Sequence, residues 1–113
     1  MNKDKVLVLK DLSSRLPYSP IVHIIDEDGT EVDALLTTST IDNLGKWVVK
    51  PYLRPMSSMT EEEIIEWNIM VDNCNEPFDF CFVDYCNRKH FDYRGLIEKG
   101  LALEAPEGMY KED

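Results

Sequence analysis

An α+β fold, with a small antiparallel sheet early and helices late, is what this 113-residue chain predicts. Two observations carry the expectation. β-Branched runs separated by a turn occupy the first half, and capped segments with helical spacing occupy the second. The composition is globular, with 43% hydrophobic and 30% charged residues, so one small core can form. The expectation is a single domain over 1–113, with 104–113 a partly ordered tail.

Leu9, Leu12 and Leu16 share one stripe of a short N-terminal helix, which Pro17 ends because the residue before proline leaves the helical region. Val6 to Val8 fit an extension of this helix or a short strand. Ile21 to Ile25 form a strand, Asp26-Glu27-Asp28-Gly29 a turn, and Thr30 to Leu36 the returning strand. Val32, Ala34 and Leu36 then share a face. TTSTIDNLGK reads as a polar turn region. Trp47, Val48 and Val49 start a third strand that runs towards Tyr52 and Leu53.

The helical half opens with a strong signal. Thr60 is an N-cap and Glu63 completes a capping box, with Met59 and Ile64 at the two staple positions. Glu61, Glu62 and Glu63 fill the first turn, where the helix dipole favours negative charge. A helix over 61–72 would place Ile64, Trp67 and Val71 on one face, with Ile65 and Ile69 beside it. An arc that wide predicts deep burial. A second helix spans about 78–89, carrying Phe78, Phe82, Val83, Tyr85 and Cys86. A third, short one is capped by Asp92 and stopped by Gly100, with Leu101 folding back on Leu96. The full expectation is about three strands, about three C-terminal helices and the N-terminal one.

The formal net charge of −10 disfavours direct binding to nucleic acid or to an anionic membrane. No stretch approaches the ~20 apolar residues of a membrane helix. Three cysteines form an odd, small set, which points away from a disulfide scaffold and towards a reducing, cytoplasmic compartment. The N-terminal apolar run is too short for a signal-peptide core.

The stretches KDLSSRLPY, KPYLRPMSSMTEEE and FDYRGLIEKGLALEAPEGMY together cover a little over a third of the chain. On these phrases the chain resembles a group of small proteins of gut anaerobic bacteria and their phages or mobile elements. The group has no assigned activity, so the resemblance implies a setting, an accessory gene of a mobile element, and carries over no functional residue.

The candidate sites divide by chemistry. Cys86 and His90 at i, i+4 could share a metal on a helix, with Cys81 and Cys74 nearby. However, Cys81 is five residues from Cys86 and no C-x-x-C pair exists, so Cys81 and Cys86 read more simply as small buried apolar residues. Cys86 with His90 is also the one local thiol–base pair, but Asp84 beside it would raise the thiol's pKa. His23 sits mid-strand among aliphatics and reads as a packed or edge residue. There is no Gly-rich phosphate loop and no G-x-S-x-G. No cofactor, metal or catalytic residue is expected.

Two charged features remain. Lys50, Tyr52 and Arg54 alternate in an extended segment stiffened by Pro51 and Pro55, so they share a face. With Arg94 they could form a basic island that binds a protein partner; equally, Tyr52 packs on the sheet and the charges pair with the Glu61–Glu63 turn. Residues 61–84 hold eight carboxylates and no Lys or Arg. Glu61, Glu62, Glu66, Asp72, Glu76, Asp79 and Asp84 could therefore imitate nucleic-acid phosphates, or simply keep the chain solvated. The sequence thus predicts a non-enzymatic protein-interaction module. An acidic nucleic-acid mimic that inhibits a host enzyme is the alternative, and a small cysteine-dependent enzyme comes third.

Overall fold

The structure, a computed structural model, describes residues 3–74 and 78–110, with the backbone alone at 78–80. The fold is α+β. Helix α1 (Lys3–Arg15) runs into a 3-10 turn at Leu16–Tyr18, and strands β1 (Ile21–Ile25) and β2 (Glu31–Leu35) follow. Helix α2 (Thr38–Asp42) precedes β3 (Val48–Leu53), and helices α3 (Glu61–Asn73) and α4 (Phe78–Arg88) precede the short β4 (Leu103–Glu104). The sheet order is β2-β1-β3-β4, with the first two pairings antiparallel and β3–β4 parallel. The sheet therefore has four strands where about three were expected, and it is mixed.

The hairpin forms where the turn chemistry placed it. The Asp26 carboxylate accepts the Asp28 and Thr30 amides at 2.9 and 3.0 Å, and Gly29 takes φ +84°, a conformation open to glycine. Val22 and Ile24 face inward with Leu36 and Val49, and α1 covers them with Val8 and Leu12. Val32, expected on that inner face with Ala34 and Leu36, is half exposed at its outer end. Val6 to Val8 belong to α1 and not to a strand. The turn region after β2 is in part helical. Thr37 caps α2 by accepting the Thr40 amide, and Thr40 is buried.

No third C-terminal helix forms, although its end signals operate. Asp92 accepts the Leu96 and Ile97 amides, Gly100 has φ +74°, and the Leu101 amide reaches the Leu96 carbonyl at 2.9 Å. Between cap and stop, Gly95 takes φ +74°, a left-handed conformation that interrupts a right-handed helix, so the segment folds as turns. The tail is fastened up to Tyr110. Its hydroxyl donates to the Tyr52 carbonyl at 2.7 Å and accepts the Ile21 amide at 2.8 Å, closing the end of the sheet.

α1 is held by a buried ionic network. Asp11 and Arg15, one helical turn apart, are both fully buried. The Arg15 Nε donates to Asp11 Oδ2 at 2.8 Å and its Nη2 to the Phe91 carbonyl at 2.7 Å. Arg94 donates to the other Asp11 oxygen at 3.0 Å. Both guanidinium groups lie about 5 Å from the Tyr93 ring centre, at 5.0 and 4.9 Å. Removing one member of such a set leaves an unpaired buried charge, which costs about 3–5 kcal/mol. Asp11→Ala should therefore lower the unfolding free energy in urea by about that amount. A loss below about 1 kcal/mol, the range of exposed pairs, would contradict this.

Candidate interaction surface

The sequence singled out Lys50, Tyr52, Arg54 and Arg94, and the structure gives each a different surrounding. Tyr52 lies on the outer face of the sheet. Its ring meets His23 edge-on at 6.3 Å, and its hydroxyl donates to Asp33 at 3.1 Å. Lys50 pairs in register with His23 on the same face, and of the four it alone has no carboxylate partner among the described residues. Arg94 is committed to Asp11. Arg54 is committed to Glu63, with its two Nη groups donating to the two carboxylate oxygens at 2.7 and 2.6 Å. Three of the four thus have their polar groups engaged within the fold.

Arg54 does more than neutralise an acid. Its Nη2 also donates to the Ser58 carbonyl at 3.2 Å, and its guanidinium lies 4.4 Å from the Phe91 ring centre. Its own backbone bonds His90 and Asp92 at 2.8 Å each, continuing the sheet beyond β3. Glu63 meanwhile keeps its capping-box bonds with Thr60. One residue therefore joins the sheet, the start of α3 and the chain leaving α4. Glu63 is buried, and the Arg54 guanidinium, with the Thr60 amide, holds its carboxyl down at about 2.

That grip fixes which side of α3 faces inward. Glu63, Trp67 and Met70 turn to the body. The Trp67 ring meets Phe82 at 5.2 Å and Tyr85 at 5.6 Å, in the cluster built on Tyr85, Cys86 and Phe91. The expected deep burial of α3 does not occur. Ile64, Ile65, Ile69 and Val71 are 47, 59, 57 and 39% exposed. The staple fails for the same reason, since Met59 packs into that cluster while Ile64 points to solvent. A signal was present in the sequence. Asn68 and Asp72 lie between the isoleucines around the helix, so burying that face would have buried them too.

The exposed aliphatics share α3 with Glu61, Glu62, Glu66 and Asp72, all exposed, and with no Lys or Arg. Of the other block acids, Asp84 accepts a hydrogen bond from the Tyr18 hydroxyl. Glu76 and the Asp79 side chain lie outside the described residues. Beside α3 opens a cavity of about 950 Å³, lined by Glu62, Glu66, His90, Glu104, Glu107 and Tyr110 among others.

Cys86 is buried as expected, whereas Cys81 and the Cys86–His90 relation differ from expectation. Cys74 and Cys81 form a disulfide, and both are partly exposed, so Cys81 is not a buried apolar thiol. Cys86 is fully buried, and burial pushes its pKa up to about 11. His90 lies past the end of α4 at φ +63°, which ends the i, i+4 relation to Cys86. Its ring stacks on Tyr110 at 3.9 Å, and burial, then the Arg15 and Arg54 charges, push its pKa down to about 4. His23 bridges Asp33 at 2.7 Å and Glu31 at 2.8 Å, and these bonds raise its pKa.

Compared with protein-family models, with curated proteins and with solved structures, the chain matches none. Among the described residues no helix is long and apolar enough to cross a membrane, and no group of three ligand side chains could hold a metal ion.

The Arg54–Glu63 pair has a pH signature. A carboxyl depressed in the folded state adds stability above its unfolded pKa near 4.5, and this is lost as pH falls towards about 2. Wild type should exceed Glu63→Gln by on the order of 3 kcal/mol at pH 7, and the gap should close progressively between pH 4.5 and 2. Urea unfolding across that range checks it. A gap independent of pH would show that the charge on Glu63 adds nothing.

Proposed function

We propose that this chain is a non-enzymatic protein-interaction module whose working surface is the outer face of α3. The observation that carries the reading is the exposure of Ile64, Ile65, Ile69 and Val71 along one 13-residue helix. Large aliphatic side chains on a surface helix normally turn inward, and four left outward on one helix mark a contact surface. The setting follows the resemblance: an accessory protein of a phage or mobile element.

Charge selects the occupant. Glu61, Glu62 and Asp72 interleave with the aliphatics, Glu66 pairs with Lys89 of α4 at 3.7 Å, and α3 itself holds no cation. A second copy would bring two acidic faces together on chains of net charge −10. The partner is therefore a different protein, with apolar side chains that meet the isoleucines and a Lys/Arg border that meets the carboxylates. The acidic-mimic reading ranks second, because a phosphate mimic has no use for four isolated aliphatic side chains among its carboxylates. A cysteine-dependent enzyme has less support still. Its thiol is buried with a raised pKa, and its imidazole is pushed the opposite way from the cation that would stabilise a thiolate.

The test is capture from a host lysate by three tagged chains: wild type, Ile65→Asp/Ile69→Asp, and Glu61→Gln/Glu62→Gln. A partner of the proposed kind binds wild type, is weakened at least about tenfold by the aspartate pair, and less by the neutral pair. If the aspartate pair captures it as well as wild type does, the α3 surface is ruled out. Binding lost with the neutral pair alone, and falling steeply with salt, would favour the mimic.

A further inference from the structure

Among the described residues, the far end of α3 has little to hold it. Its last turn has no basic residue and carries Asp72, whose charge opposes the negative end of the helix dipole. No glycine follows, and Cys74 at the C-cap is extended. The Asn73 side chain satisfies one carbonyl, that of Ile69. After Met70 no helical residue turns inward, since Val71, Asp72 and Asn73 are all exposed. The covalent tie from that end to the body is the Cys74–Cys81 bond, which reaches into α4 across a Cα separation of 6.7 Å.

The three cysteines are chemically unequal. Cys74 and Cys81 are partly exposed, whereas Cys86 is fully buried beside Tyr85 and Phe91. A small thiol from solution can therefore reach the first two and not the third. We propose that Cys74–Cys81 is a reversible thiol–disulfide site, exchanging with small thiols, that fastens or releases the C-terminal turn of α3.

A thiolate of the small thiol attacks one sulfur of the pair, the Cys74–Cys81 bond breaks, and a mixed disulfide forms. The departing protein thiolate takes a proton. A second thiol then displaces the first protein-bound one, leaving two protein thiols and one small disulfide. Two electrons have moved from the small thiols to the chain, and oxidation by a small disulfide reverses each step. In the released form Ile69 and Val71 lose their fixed position while Trp67 and the Arg54–Glu63 grip keep the first two turns. The consequence for binding rests on the reading of α3 as the docking surface; the local release does not.

The experiment uses the free, full-length chain, with dithiothreitol as the small thiol. Maleimide labelling counts accessible thiols, and amide hydrogen exchange by mass spectrometry follows Ile69–Asn73. The oxidised chain should take up no label. The reduced chain should take up two, with Cys86 silent. Exchange over Ile69–Asn73 should rise at least about tenfold on reduction, with Tyr85–Arg88 unchanged. Cys74→Ser/Cys81→Ser should exchange fast in both conditions. Resistance of the native chain to dithiothreitol, equal exchange in both states, or labelling of all three thiols would each overturn the proposal. No partner is needed, so these outcomes are independent of the lysate test.

Discussion

The bidentate contact between Arg54 and Glu63 is the constraint on which the proposed surface depends. A helix with aliphatics around more than half its girth could settle in several rotations about its axis, each burying a different stripe. Glu63 removes that freedom. Its carboxylate must meet a guanidinium fixed by Phe91, Ser58 and the end of the sheet, so the stripe that carries Glu63, Trp67 and Met70 is the one that turns inward. The isoleucines face solvent as a consequence. Buried ion pairs add little net stability over an apolar substitute, but their geometry can select one packing among several. Here the pair selects the orientation of a helix, and with it the side presented to a partner.

A second ionic constraint supports the first. Asp11, Arg15 and Arg94 tie α1 to the same stretch, 91–94, that Arg54 touches from the other side. Phe91 lies between them. Its carbonyl accepts from Arg15 and its ring receives Arg54. Charged groups thus do much of the positioning where three small apolar clusters meet, as suits a chain this short, whose hydrophobic core is limited. The cost is a sheet outer face and a helix outer face left open to solvent.

Much of the fold was legible in the sequence because local chemistry dictated it. The Asp26–Gly29 turn and the Thr60–Glu63 capping box depend on bonds between near neighbours, and both formed. The missed parts depend on partners distant in sequence. Nothing near Glu63 says that Arg54 will claim it, and so nothing local sets the rotation of α3. α2 was hidden because Thr and Ser serve equally as turn residues and as caps. The last helix failed because Gly95, between two end signals that each operate, takes a left-handed conformation. Tyr110 looked like part of a loose tail because its three backbone partners lie 58 and 89 positions away. The disulfide was invisible because an odd cysteine count argues against pairing without saying which two could meet. Of the expected basic island, the alternation and the Tyr52 packing were readable, whereas the engagement of Arg54 and Arg94 was not.

Ile64, Ile65 and Ile69, each about half exposed, add little to the packing of the isolated chain. Their replacement by serine, which has a similar helix propensity, isolates that question. The unfolding free energy of the triple variant should lie within about 0.5 kcal/mol of wild type, as for surface substitutions. A loss above about 2 kcal/mol, the scale of removing buried aliphatic side chains, would mean that this face of α3 is core and not surface.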